Sequence, residues 1–243
     1  MLYAIGDIHG NVDFMIQKLE TIPREAQLPV YVILLGDAGL NFYLDKRDDR
    51  QKEALQSYLN QRKDTMKLLF VRGNHEARPQ NICSYHQKKM FGARVLVEDK
   101  YPDLIFLKDG AFYQIDGEDF IVLGGGYSMD YFKRLMHRWS FFVDEELSEL
   151  EFGEIMESKG MEGRKVHVLS HMVCEAYSPA YYESGRIPRT EYYLQKFFEQ
   201  YKAQIIDWWC GHYHRQYQKR LPEGIVINFC YKNLEEIIKK EAL

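Results

Sequence analysis

The stretch LYAIGDIHG, residues 2–10, is a short apolar run that ends at Gly6 and then delivers Asp7 and His9. Two later stretches repeat the plan: VYVILLGDAG (30–39) delivers Asp37, and MKLLFVRGNHE (66–76) delivers Asn74 and His75. Each run has strand length, is rich in β-branched or aromatic residues, and closes on glycine or a polar turn. Each therefore reads as a buried strand handing a polar residue to its C-terminal edge. Between the first two runs, Val12, Met15, Ile16 and Leu19 give Asn11–Glu20 a helical apolar stripe, and a second helix is expected near Asp49–Arg62. This β-α-β-α-β order argues for parallel strands with right-handed crossovers, an α/β fold.

The second half carries more strand. IFL (105–107), AFYQI (111–115) and DFIVLGGG (119–126) follow in quick succession, with Asp-Gly at 109–110 and 116–117, and read as antiparallel hairpins. Helices fit Asp144–Ser158 and Arg189–Tyr201. VHVLS (166–170) leads to His171, and IIDWWC (205–210) leads to His212 and His214. HRQYQKR and GIVINFC then form a closing hairpin. The stretches 77–104, 127–144 and 172–190 lack clear periodicity and are expected as loops over the site; within the second, YSMDYFKRLMHRW is expected either to fold over the site and contact phosphate or to form an amphipathic cover helix with solvated charges. Polar strand ends from both halves must meet, so a domain cut would split the site. One domain, 1–243, is expected.

The chain has 243 residues, 46% hydrophobic and 28% charged, with a net charge of −4. That is the balance of a soluble globular protein, and it argues against a long nucleic-acid partner. No apolar run approaches membrane-spanning length. Met1 stands directly before the first strand, which leaves no room for a signal peptide and sets the expectation of a cytoplasmic protein. Cys83, Cys174, Cys210 and Cys230 show no C-x-x-C spacing and read as reduced thiols.

Asp7, His9, Asp37, Asn74, His171, His212 and His214 are seven potential metal ligands at the edge where α/β folds build their sites. Asp and His together suit Mn, Fe, Zn or Ni better than Ca. Seven is too many for one ion that must also bind water, but fits two ions sharing a carboxylate. Asp37 is the natural bridge, because a carboxylate has two oxygens where an imidazole offers one lone pair. Two ions roughly 3.5–4 Å apart can hold a hydroxide and clamp a phosphoryl group. In extended backbone, Asp7-x-His9 and His212-x-His214 project each pair to one side. His75 follows Asn74, points elsewhere, and is placed to give a proton to a leaving oxygen.

The ordered blocks GDIHG, GD, GNHE, a single later His and GHYH, spanning 6–214, resemble the calcineurin-like metallophosphoesterases. The resemblance implies a four-layer α/β/β/α sandwich with a dimetal site at the strand C-terminal ends. It implies that Asp7, His9, Asp37 and His214 hold one metal and that Asp37, Asn74, His171 and His212 hold the other, manganese first among the candidates. His75 matches the family's catalytic histidine. RGNHE is the form of the phosphoprotein-phosphatase branch, and GGGYSMD…KRL…W…DEE (124–146) resembles a group of small bacterial members.

The sequence departs from that branch at its second block. Where the branch has GDxxDRG, this chain reads GDAGLNF, with Leu40 and Asn41 in place of Asp and Arg. A phosphate grip must come from elsewhere: Arg72, Arg78, Lys133 and Arg134 are the candidates, with Arg134 and Arg72 carried forward alongside His75. Glu76 reads as a supporting residue, and Trp208 and Trp209 read as core. The resulting expectation is a dimetal-dependent phosphoesterase in which a metal-bridging hydroxide attacks and His75 donates the proton. A phosphomonoesterase acting on a phosphorylated small molecule or phosphoprotein is favoured. The alternatives are a phosphodiesterase or nuclease, and a non-catalytic scaffold of the same fold that binds protein.

Overall fold

Three separate apolar clusters divide the structure into layers. The computed structural model describes residues 1–24, 29–62, 65–180 and 187–237. One sheet holds β1 (Leu2–Ile5), β2 (Val30–Leu35), β3 (Met66–Val71), β4 (His86–Met90), β5 (Ala93–Val97), β6 (Leu104–Leu107) and, at its edge, β13 (Glu235–Glu236). Its order is β13-β1-β2-β3-β6-β5-β4. The other holds β7 (Phe112–Ile115), β8 (Glu118–Leu123), β9 (Val166–Ser170), β10 (Ile205–Cys210), β11 (Tyr217–Arg220) and β12 (Val226–Phe229). Its order is β11-β12-β10-β9-β8-β7. The centre of each sheet is parallel: β1, β2, β3 and β6 in one, β8, β9, β10 and β12 in the other.

Alternate residues of each central strand enter different clusters. Val30, Val32 and Leu34 face α1 (Val12–Glu20) and α2 (Lys46–Gln61), while Ile33 and Leu35 enter the layer between the sheets. In the second sheet Val168 and Trp208 face α5 (Arg189–Tyr201), while Leu169 and Trp209 face the first sheet. Burial of both faces explains why these runs are continuously apolar rather than alternating. The result is the α/β/β/α sandwich the resemblance implied, with helix–sheet, sheet–sheet and sheet–helix interfaces.

Local signals set the helix ends. The Asn11 side chain accepts the Phe14 N–H at 3.1 Å and starts α1. Asp45 caps α2, which begins three residues before its expected start. Ser148 and Glu151 form a reciprocal capping box at α4 (Glu149–Glu157), five residues inside the expected Asp144 start.

Three expectations change. IFL and AFYQI are not a hairpin: β6 and β7 lie in different sheets, and residues 108–111 carry the chain across. β7 and β8 do pair, through Asp116 and Gly117, both at positive φ. The expected loop 77–104 contains the β4–β5 hairpin, turning on Phe91 and Gly92, again both at positive φ. A Phe-Gly turn and the polar strand HQKKM gave no pattern to read. The stretch 127–144 holds α3 (Tyr131–His137), and residues 181–186 of the stretch 172–190 lie outside the described residues. Among the described residues, no helix is long and apolar enough to cross a membrane.

Leu169, fully buried between the sheets, tests this layering. Leu169→Ala should cost about 2–5 kcal/mol, and each kcal/mol should lower the melting temperature by roughly 2–4 °C. The same truncation at exposed Leu150 should leave thermal unfolding unchanged. Equal shifts for the two variants would contradict the inter-sheet packing.

Candidate metal centre

All seven expected ligands stand just beyond strand ends, where the C-terminal edges of the two sheets meet. Asp7, Asp37 and Asn74 follow β1, β2 and β3; His171 and His212 follow β9 and β10. Asp7, His9, His212 and His214 are not in extended backbone, as the i, i+2 reading assumed. Asp7, His9, Asp37, His212 and His214 all have positive φ, between 45° and 66°. The left-handed conformation costs a non-glycine residue roughly 1–2 kcal/mol, although Asp and His tolerate it better than most. This turn geometry, and not the same-side projection of an extended strand, brings the groups together. It also sends the two histidines of GHYH to different partners.

Two overlapping clusters result. In the outer one, ligand atoms of Asp7, His9 and His214 lie within 4.8 Å of one another, with His9 Nε2 3.0 Å from His214 Nε2. In the inner one, Asp7, Asp37 and His171 converge within the same limit. His171 Nε2 also lies 2.8 Å from Asn74 Oδ1, and His212 Nδ1 lies 3.0 Å from that oxygen and 3.2 Å from His171 Nε2. Asp7 belongs to both clusters, and Asp37, a member of the inner one, reaches toward the outer. Its Oδ1 is 3.5 Å from His171 Nε2, and its Oδ2 is 3.9 Å from His9 Nδ1 and 3.9 Å from His75 Nε2.

Backbone groups hold the carboxylates. The amides of Asn74 and His75 donate to Asp37 Oδ1 at 3.0 and 2.8 Å, and the His212 amide donates to both oxygens of Asp7. His171 donates Nδ1–H to the Leu35 carbonyl at 2.7 Å, which aims Nε2 at the site. Side chains are excluded where these groups crowd. A Cβ on Gly73 would collide with Asp37, and one on Gly36, at φ 88°, would collide with the His171 ring.

The electrostatics fit a cation. Burial raises the Asp7 carboxyl to about 8, with the nearby charges of Asp37 and Glu76 adding to the shift. Burial would also raise Asp37, but the surrounding histidines, His171 foremost, outweigh it and hold Asp37 ionised. Against its own burial, His171 is raised to about 9 by Asp37 and Asp7. Burial keeps His9, near 4, and His212 and His214 in the neutral form that carries a lone pair. Two buried carboxylates side by side need positive charge, and protons supply it where no metal does. Asp, Asn and neutral His are the donor set of borderline divalent ions, so the residues fit such ions.

His75 lines both openings to the centre. A cleft of about 470 Å³ is walled by Asp37, Asn74, His75, Ser128, Asp130 and Arg215, among others. A smaller one of about 100 Å³ lies between His9, Phe42, Tyr43 and His75. A larger cavity of about 570 Å³, lined by Arg72, Lys108 and Asp109 among others, lies away from the ligands. The converging polar groups, not size, identify the site.

The expected cations are disposed differently. Arg72 is buried, with Nε 2.9 Å from Asp109 and Nη1 2.6 Å from the Glu145 carbonyl. Arg78 binds Glu151 and the carbonyls of Asp144 and Glu146. Lys133 sits over the Trp139 ring. Arg134 reaches Asp130 at 2.7 Å and the Ser140 carbonyl at 3.1 Å, and its charge adds to burial in lowering the His75 pKa. Sequence reasoning missed Arg215, on the cleft wall next to His214, and the pair Ser128 and Glu145 behind Asn74. Arg215 was findable by its position beside a ligand block; Ser128 and Glu145 lie in the GGGYSMD…DEE stretch, but no spacing there ties them to Asn74. Glu76 is fully buried and accepts the Gly73 amide, as a supporting residue would.

Several solved structures are similar to this chain at low identity. The TT1561 protein of Thermus thermophilus is 11% identical, with 95% of this chain and 89% of that one covered and a TM-score of 0.46. A dimetal phosphatase from Danio rerio is 11% identical, with 95% and 87% covered and a TM-score of 0.47. A putative 5'-nucleotidase from Staphylococcus aureus is 12% identical, with 96% and 49% covered and a TM-score of 0.46. No curated protein matches the sequence significantly. The calcineurin-like phosphoesterase family model matches residues 2–216, a span that contains all five blocks. That family is dimetal-dependent and acts on phosphate esters. On this match, the protein belongs to the calcineurin-like phosphoesterase family.

Proposed function

We propose that this protein is a two-metal phosphomonoesterase, with Asp7, His9, Asp37 and His214 holding one ion and Asp37, Asn74, His171 and His212 the other. The observation that carries the reading is Asp37, whose Oδ1 lies 3.5 Å from His171 and whose Oδ2 lies 3.9 Å from His9, with Asp7, common to both clusters, packed beside it. Manganese suits the mixed carboxylate and imidazole set, and iron, zinc and nickel are the other candidates. When bound, such ions activate water for in-line attack and neutralise the phosphoryl oxygens.

The chain's own residues supply the rest. The outer histidines His9 and His214 are partly exposed, while His171 is fully buried, so substrate approaches from the outer side. His75 Nε2, on the cleft wall, gives its proton to the leaving oxygen. A phosphate dianion arriving beside it favours the imidazolium, against the burial and Arg134 charge that disfavour it. Arg134 is the phosphate contact, aligned by Asp130, which itself lines the cleft. Arg72, with Asp109 and the Glu145 carbonyl as its partners, acts by bracing the turn that carries Asn74.

A substrate panel with Mn²⁺ tests the assignment: phosphopeptides and nucleotides against bis-p-nitrophenyl phosphate and single-stranded DNA. Turnover confined to the diesters would replace the monoesterase reading, and no turnover by the metal-loaded protein would favour a binding scaffold.

Three variants probe the roles. Asp37→Asn should lose bound metal and most activity; full metal content and turnover would sink the bridging assignment. His75→Asn should keep its metal yet lose about 10²–10⁴ in rate on esters with poor leaving groups. Its loss should be smaller with p-nitrophenyl phosphate, and equal losses on both would contradict proton donation. Arg134→Ala should lower kcat/KM by about 10-fold, or ~1.4 kcal/mol, at unchanged metal content. Unaltered kinetics would remove Arg134 from the phosphate site.

A further inference from the structure

The Asn74 side chain presents the centre with a choice that its neighbours have to make for it. An amide has an oxygen that can face a cation and an NH₂ that cannot, and the two are nearly equal in shape. Here Oδ1 lies toward His171 and His212, while Nδ2 lies 2.9 Å from Ser128 Oγ. Ser128 is in turn held twice by Glu145: its hydroxyl is 2.6 Å from Oε2 and its amide 2.8 Å from Oε1. All three residues are buried.

The proton count has one solution when Glu145 is ionised. A carboxylate only accepts, so the Ser128 hydroxyl gives its single proton to Glu145. Ser128 then has only lone pairs to offer Asn74, and Asn74 must answer with N–H. We infer that Ser128 and Glu145 are positioning residues, which lock the Asn74 amide with its oxygen toward the metal centre. The inference rests on the two-metal reading above.

The lock is anchored at both ends. The Glu145 carbonyl accepts Arg72 Nη1 at 2.6 Å and the Gly126 amide at 3.1 Å. The Gly125 amide donates to the Arg72 carbonyl at 2.7 Å. Arg72 and Asn74 belong to one RGNHE turn, so the path Arg72–Glu145–Ser128–Asn74 closes on itself across the two sheets. Asn74 is thereby fixed in position by the backbone of its turn and in orientation by a loop of the other sheet.

Glu145→Gln tests the lock with almost no change of shape. A glutamine can donate to Ser128 Oγ, which frees the hydroxyl proton for Asn74 and lets the amide turn over. Metal-free wild type and variant would be titrated with Mn²⁺ by calorimetry, and retained metal counted by mass spectrometry. Burial raises Glu145 to about 7, so the buffer should sit well above that value. Two ions in the wild type are expected. In Glu145→Gln one ion should bind about 10–100-fold more weakly, the other as before, with the melting temperature of the metal-free protein unchanged. Ser128→Ala, which removes the acceptor itself, should weaken the same ion. In an Asn74→Asp background both side-chain oxygens can accept, so Glu145→Gln should cause no weakening. Wild-type affinity at both sites in Glu145→Gln and Ser128→Ala would overturn the inference. So would an equal loss in the Asn74→Asp background, which would mean a general structural effect. A wild-type protein that takes up no metal would overturn the two-metal reading instead.

Discussion

A single carboxylate oxygen, Asp37 Oδ1, accepts the amides of Asn74 and His75 and lies 3.5 Å from His171 Nε2. It joins the ends of β2 and β3 in one sheet to the end of β9 in the other. The other oxygen faces His9 and His75. A fully buried carboxylate is costly unless hydrogen bonds and positive charge surround it, so everything near Asp37 is arranged to meet that cost. Gly73 and Gly36 carry no side chain because a Cβ there would occupy the space of Asp37 and of the His171 ring.

The same demand accounts for the backbone strain. Five of the seven candidate ligands adopt left-handed conformations, which the fold holds against their intrinsic preference. Strain of this kind persists where surrounding structure over-determines it, and it gathers at functional sites. Here two sheets packed face to face, parallel at their centres, supply the rigidity. The inner donors are buried and shielded, while of the outer histidines His214 opens onto the larger cleft and His9 onto the smaller. The strand ends are strained, and the sandwich core below them offsets that strain.

Some elements were plain in the sequence and others invisible, for physical reasons. The central strands were legible because they are buried on both faces and therefore apolar throughout. Arg189–Tyr201 was legible because its apolar stripe recurs at helical spacing, and it runs between those residues in the structure. The β4–β5 hairpin was not, because β4 is a polar, solvent-facing edge strand whose turn uses Phe91 where Asn or Asp is usual. α3 was legible only as one of two readings of YSMDYFKRLMHRW, because none of its residues is buried and no apolar face decides for a helix. The crossing at 108–111 looked like one more tight turn, since Asp109-Gly110 and Asp116-Gly117 have the same local chemistry. Only packing decides which of them reverses the chain and which changes sheet.

The same division holds at the centre. By itself the sequence determined the ligand types, their order and their place at strand ends, because glycine-flanked Asp, Asn and His after apolar runs are written locally. Tertiary structure alone decided how those groups combine: that His212 and His214, two residues apart, serve different clusters, and that Arg72 braces Glu145. It also decided that Ser128 stands behind Asn74. Those relations join residues 54 to 205 positions apart, across two sheets. No local pattern encodes a distance between chain segments that meet only when both sheets are packed.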